Sequence, residues 1–188
     1  MKNLKTIAIA LFVAVASVSV NAQTKKIDVK ASSIKWVGKK VTGEHSGTVN
    51  FKEGAVVLKG KKLVGGSFTV DMNSLTATDI TGEYQGKLNG HLKADDFFGT
   101  AKFPTAKLVF KTVAAKATNV YTVTADLTIK GITKPVTFDI TVNGNTATTA
   151  FKVDRTKYDI KYNSGNFFEN LGDKTINDDF ELTVALKF

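Results

Sequence analysis

The chain has 188 residues, 43% of them hydrophobic and 23% charged, which suits one globular domain and excludes wholesale disorder. It has no cysteine, which rules out a disulfide framework, thiolate zinc sites, a cysteine nucleophile and a lipid-modified N-terminal cysteine. The formal charge is +9, from 26 basic and 17 acidic residues, and Arg155 is the sole arginine among the lysines.

The chain opens with Lys2 and Lys5, followed over residues 7–20 by an uncharged apolar run. Val20-Asn21-Ala22 then places small residues at the −3 and −1 positions of a cut after Ala22. Charged start, apolar run and small-residue site is the order of a secretory signal peptide. The run falls short of the ~20 apolar residues of a membrane span. Residues 1–22 are therefore expected to be removed, leaving one domain over 23–188 in the periplasm or outside the cell.

The rest of the chain is dominated by alternation with period two. Ile34/Trp36, Val49/Phe51, Val56/Leu58, Gly66/Phe68/Val70 and Leu108/Phe110 are short examples. Tyr121, Val123, Ala125, Leu127 and Ile129 form a longer one, followed by Val136, Phe138, Ile140 and Val142. Ala147/Thr149/Phe151/Val153 comes next, and Phe180, Leu182, Val184, Leu186 and Phe188 close the chain. Each predicts a strand with one apolar face. Turn signals at Lys52-Glu53-Gly54, Lys59-Gly60-Lys61, Lys130-Gly131-Ile132 and Asn143-Gly144-Asn145 predict antiparallel neighbours. Eight or nine such strands stack as a sandwich or close as a barrel, and the long strands favour a barrel. Residues 75–104 lack alternation. Leu88 and Leu92 at i, i+4 predict a short helical excursion there, weakened by Gly86 and Gly90 at ~1 kcal/mol each.

Polar groupings with chemical potential are sparse. His91, Asp95 and Asp96 could share a metal, but one histidine and two aspartates make a thin ligand set, and the aspartates can instead cap a turn. Glu44-His45-Ser46 holds acid, base and hydroxyl, yet neighbours on a strand point to opposite faces and cannot form a triad. Asn177-Asp178-Asp179 lacks the spacing of a calcium loop. No phosphate-binding glycine loop occurs. No catalytic residue and no metal is assigned. Lysines cluster at Lys25, Lys26, Lys30, Lys35, Lys39 and Lys40, and again at Lys59, Lys61 and Lys62. With a single arginine they read as solvating charge that discourages edge pairing rather than as a nucleic-acid surface. Attraction to anionic lipid headgroups is the other use they could serve.

Five segments together resemble the YceI-like family of exported proteins. They are Gly65-Gly66-Ser67-Phe68, Gly90-His91-Leu92-Lys93-Ala94-Asp95-Asp96-Phe97-Phe98 and Lys102-Phe103-Pro104-Thr105-Ala106. Asp126-Leu127-Thr128-Ile129-Lys130-Gly131-Ile132-Thr133-Lys134-Pro135-Val136 and Asp178-Asp179-Phe180-Glu181-Leu182 complete the set in order. The resemblance implies an all-β fold, an elongated antiparallel lipocalin-like barrel of about eight strands with a short helical excursion. It also implies a long interior tunnel for a polyisoprenoid, a quinone or a fatty-acid-like lipid, with no other cofactor.

On that expectation the apolar faces supply the tunnel lining: Trp36, Phe51, Phe68, Leu108, Phe110, Leu127, Ile129, Phe138, Phe151, Phe180 and Leu182. Leu88, Leu92, Phe97, Phe98, Phe167 and Phe168 are the candidates for the mouth or lid. The expected partners are an apolar small molecule and, transiently, a membrane surface; a homodimer is open and nucleic acid is not expected. A filled barrel with a structural role in the envelope or in stress is the alternative, since alternation alone does not say whether the interior is empty.

Overall fold

The computed structural model describes residues 21–188, so the apolar run of the expected signal peptide lies outside the described residues. The described chain is a closed antiparallel barrel with one helix. Its strands are β1 (Ala22–Lys26), β2 (Ser33–Lys40), β3 (Gly43–Lys59), β4 (Lys62–Ala77), β5 (Thr105–Ala117), β6 (Val120–Ile129), β7 (Ile132–Asn143), β8 (Thr146–Asp154) and β9 (Ile176–Lys187). The helix α1 spans Gly82–Lys93, between β4 and β5. Strands β2 to β9 close into eight staves through pairing of β3 with β4. β1 is a ninth strand that continues β2 along the far half of β3, so Lys26 pairs with Ala55 and Ile34 with Val49. The residues between them turn around Asp28, whose Oδ1 accepts the amides of Lys30 and Ala31.

Alternation decides which face points inward. On β6 Tyr121, Val123, Ala125, Leu127 and Ile129 are buried, while the intervening residues are half-exposed. Lys130 and Gly131 both take positive φ, 50° and 75°, in the two-residue connection to β7. That twist matches the twist of the flanking strands and fixes their register, pairing Ile129 with Ile132.

The expected turn at Lys52-Glu53-Gly54 is absent: β3 runs straight through it as one strand of 17 residues. A bulge replaces the turn, with Phe51 opposite Val70 and Glu53 opposite Thr69. Gly54 is required for packing. A Cβ there would lie 2.5 Å from Cδ1 of Phe68, inside the barrel. Val49/Phe51 and Val56/Leu58 therefore belong to one strand.

The excursion is shorter than expected, because Leu75 and Ala77 complete β4. Gly86 and Gly90 occur in α1 and face open space, and none of its residues is fully buried. Polar contacts to β4 fasten it. The Ala77 amide donates to Asn89 Oδ1 at 2.8 Å and its carbonyl accepts from Gln85 Nε2 at 2.8 Å. Leu88 and Leu92 pack on the core from the same helix.

One seam of the barrel is short. β7 and β8 pair only from Thr141/Thr148 to Asn143/Thr146, after which the backbone ladder stops and Thr149 Oγ1 donates to the Asp139 carbonyl at 2.6 Å. Pro135, which has no amide to donate, lies in the part of β7 that β8 does not reach. The 3-10 turn at Arg155–Tyr158 packs against β7 and β9 beyond this seam. Tyr158 and Ile160 are fully buried there.

Candidate functional site: the barrel interior

The barrel encloses two apolar cavities. The larger lies at the end covered by α1. The smaller lies further along the barrel. Ile34, Val70, Leu127 and Leu182 line both and form the waist between them.

All eleven expected lining residues face these cavities. Trp36, Ile129 and Phe180 line the larger. Phe51, Phe68, Leu108, Phe110, Phe138 and Phe151 line the smaller. Leu127 and Leu182 stand at the waist. The phenylalanines form a belt across neighbouring strands. Ring centroids lie 6.1 Å apart from Phe51 to Phe68, 5.6 Å to Phe110, 6.0 Å to Phe138 and 4.5 Å to Phe151. β6 contributes small residues where the belt crosses it: Ala125 opposite Phe110 and Val123 opposite Phe138.

The mouth candidates divide. Leu92, Phe97 and Phe98 line the larger cavity from the excursion. Leu88 packs on the core without reaching it. Phe167 and Phe168 line neither cavity and are each 50% exposed, with Lys161 Nζ 5.1 Å from the Phe167 ring.

Sequence reasoning missed Met72 and Leu75, which line the larger cavity from the end of β4. Both fell where alternation weakens near the excursion. It also missed Arg155, which is 3% exposed and lines the same cavity. The available signal was its singularity in a chain that otherwise uses lysine. A planar guanidinium can be buried where a lysine ammonium could not be satisfied. Its Nε donates to the Asn177 carbonyl at 3.0 Å. Nη1 donates to the carbonyls of Ile160 and Tyr162, both at 2.9 Å, and Nη2 to Ile176 at 2.9 Å. These bonds tie the segment after β8 to the start of β9. Burial pushes the guanidinium below its usual pKa, opposed by Asp178 and Asp154, and it remains charged.

The polar groupings singled out in the sequence serve as ties between segments. His91 Nε2 meets Asp96 Oδ2 at 3.1 Å, and its ring stands edge-on to Tyr162 at 4.5 Å and Phe97 at 5.0 Å. Asp95 accepts from Lys102 Nζ at 2.6 Å instead of capping a turn. His45 and the Ser46 amide both bind Asp79, at 2.8 and 3.1 Å. Burial works to raise the Asp79 carboxyl, but those two donors outweigh it and hold it below the usual carboxylate range. Asp178 takes Asn166 Nδ2 at 2.6 Å on Oδ2. Among the described residues no three His, Asp or Glu side chains gather closely enough to share a metal ion. No described helix is long and apolar enough to cross a membrane.

The chain is similar to several known proteins. An UPF0312 protein of Shewanella denitrificans is 36% identical over 91 residues, 48% of this chain and 46% of that protein. One from Staphylococcus aureus is 46% identical over 56 residues, 30% of each chain. The matches thus span less than half the length of these curated relatives. Among solved structures, BcnA of Burkholderia cenocepacia matches with a TM-score of 0.63 at 22% identity, over 85% of this chain and 98% of its own. A polyisoprenoid binding domain from Saccharophagus degradans matches with a TM-score of 0.57 at 16% identity, over 86% and 95%. At such identities the likeness is one of fold. The model of the YceI-like domain matches residues 25–188, the span of the barrel from β1 onward, and the chain belongs to that family.

Proposed function

We propose that this protein is an exported binding protein that holds one long apolar molecule, a polyisoprenoid, quinone or other lipid, inside the barrel. The observation that carries the reading is the pair of cavities meeting at a common waist and lined almost wholly by apolar side chains. A chain threaded along them would exchange water for Trp36, Leu127, Leu182 and the phenylalanine belt. Burying ~400 Å² of apolar surface contributes ~10 kcal/mol before the cost of association. Selection would then rest on girth and length, with few polar contacts. The polyisoprenoid binding named for the Saccharophagus degradans domain of like fold supports this ligand class. No reaction is part of the reading: the two histidines pair with aspartates outside the cavity lining.

Export rests on the charged, apolar and small-residue order of residues 1–22. Storage, transport and protection under stress all follow from holding a lipid in an aqueous compartment. The excess of lysine over acidic residues suits brief contact with an anionic membrane where the ligand is exchanged.

Native mass spectrometry of the protein from its own host, followed by lipid extraction, tests the reading. One apolar molecule per chain is expected. A bare protein mass and an empty extract would overturn it. A filled structural barrel is the second reading, favoured by the belt of neighbouring rings from Phe51 to Phe151. It makes the opposite forecast in the same experiment.

A further inference from the structure

Positive charge gathers at one corner of the barrel, at the end away from α1. α1 follows the end of β4, whereas this corner is built on the start of β4. β1 is an edge strand there, paired only with β3. β5 pairs with β4 only from Ser67 onward, so residues 22–26, 55–59 and 62–66 form a three-stranded tab with both outer edges unpaired. β1 and the loop after it bring Lys25, Lys26 and Lys30, and the turn from β3 to β4 brings Lys59, Lys61 and Lys62. The register sets the two groups side by side, with Ala22 opposite Lys59 and Lys59 opposite Lys62.

Little negative charge balances them. Asp28 is the one acidic residue within 22–32 and 55–64, and its Oδ1 already holds the amides of Lys30 and Ala31. Among the described residues none of the six lysines takes part in an ion pair. The opposite end mixes the two signs: Lys87 pairs with Glu83, Lys102 with Asp95 and Lys157 with Asp154.

The outer face of the same tab is partly apolar. Leu58 and Leu63 are buried, so alternation turns Val57, Lys59 and Lys62 outward. A bulge then leaves Val64 as an extra residue of β4, because Leu58 pairs with Leu63 but Val57 with Gly65. Bulges re-aim side chains, and this one leaves Val64 44% exposed. A Cβ on Gly65 would touch Val57 at 3.4 Å, and glycine leaves that valine uncovered. Val29, beside Lys30, is 38% exposed.

Resting on the membrane contact in the reading above, and assigning it to one surface, we propose that this tab docks on an anionic lipid bilayer. The lysines lie over the headgroups, and Val64 and Val29 reach the boundary of the acyl chains. Ammonium groups on flexible stems suit a fluid layer of anionic headgroups. Nucleic acid fits the surface less well. Residues 22–32 and 55–64 contain no arginine for bidentate phosphate contacts and no aromatic ring for stacking on bases.

The test is sedimentation of the purified protein with vesicles of mixed phosphatidylglycerol and phosphatidylcholine, and with vesicles of phosphatidylcholine alone. Binding to the anionic vesicles only is expected, weakening as salt is added. The triple variant Lys59→Gln, Lys61→Gln, Lys62→Gln is expected to bind them on the order of a hundredfold more weakly, about fivefold for each lysine. The variant Lys107→Gln, Lys134→Gln, Lys174→Gln loses the same charge elsewhere and is expected to bind nearly as the parent does. Val64→Ser keeps every charge and is expected to weaken vesicle binding several-fold. Equal losses in the two triple variants would overturn the tab as the docking surface while leaving the membrane contact in place. A parent protein that ignores anionic vesicles would overturn the contact and the tab together, the lysines then only guarding the free edge of β1. Tighter binding to duplex DNA than to the vesicles would replace the bilayer with another polyanion and overturn the proposal. Extracted lipid per mole of protein, measured on the same samples, is expected to be equal in parent and variants, so the cavity reading is tested apart from this one.

Discussion

Phe138 on β7 and Phe151 on β8 stack nearly parallel, 4.5 Å between centroids and 14° between planes, just where the hydrogen-bonded ladder joining their strands has ended. The stack takes over from backbone pairing in closing the seam. Phe138→Ala removes this contact and a buried ring, and is expected to cost ~3–5 kcal/mol in urea unfolding. Amide exchange in residues 132–140 should quicken more than in β3, whose ladders to its neighbours do not pass through that seam.

Leu127 lines both cavities at the waist. Leu127→Trp is expected to narrow the passage and lower extracted lipid per mole of protein, with the denaturant midpoint nearly unchanged. An already packed interior would give the reverse, a loss of ~1–3 kcal/mol from overpacking with no change in bound lipid. Denaturant melts and lipid assays on the same sample separate the two outcomes.

Gly47 is fixed by close approach rather than by its own dihedrals. A Cβ on it would lie 1.9 Å from the Thr76 carbonyl oxygen and 2.6 Å from Cζ2 of Trp36. Gly47→Ala must therefore push β3 from β4 or displace the Trp36 ring. A loss of about 3 kcal/mol or more is expected, with a shift in tryptophan emission. Gly86→Ala, on the open face of α1, should instead be neutral or stabilise by up to ~1 kcal/mol.

Tyr158 is 1% exposed and its hydroxyl has no hydrogen-bond partner. Burial, aided by the charge of Asp154, raises its pKa from 10.0 to about 12. At neutral pH both folded and unfolded chains carry the neutral phenol. As pH rises from 10 toward 12 the unfolded chain ionises first, so stability is lost in that window, by about 2–3 kcal/mol in full. Tyr158→Phe should remove this part of the alkaline loss and stabilise by ~1 kcal/mol at pH 7, since it deletes an unpaired buried hydroxyl. Unfolding free energies of the two proteins at neutral and alkaline pH check both expectations.

Residues 82–103 hold α1 and the turns after it, and residues 163–175 hold turns and a short 3-10 helix, so neither segment belongs to a strand ladder. Both are expected to exchange amide hydrogen faster than β6. If they admit the ligand, bound lipid should slow exchange in both and leave β6 as it was. Equal exchange with and without lipid would mean that neither segment gates the cavity. N-terminal sequencing of the protein from its host should find Gln23 first. A cut there removes the outermost pair of β1, Ala22 with Lys59, and keeps the other four.

Much of this protein was legible in its sequence because alternation is a local property. Tyr121 to Ile129, Val136 to Val142 and Phe180 to Phe188 each state which side of a strand is apolar, and the turn at Lys130-Gly131 states the antiparallel return. That was enough for an antiparallel barrel and for eleven of the side chains that face its cavities, since every inward residue of a small barrel faces the same interior. Whether space remains inside is a different kind of quantity. It depends on how Ala125 and Val123 on β6 accommodate Phe110 and Phe138 from the strands on either side, a balance of volumes that no single strand contains. Gly54 looked like a turn and proved to be room for the Phe68 ring, because the ring arrives from another strand. Arg155 was visible only as an oddity of composition. Its hydrogen-bond partners are the backbone carbonyls of Ile160, Tyr162, Ile176 and Asn177, and such partners leave no mark in the side-chain pattern.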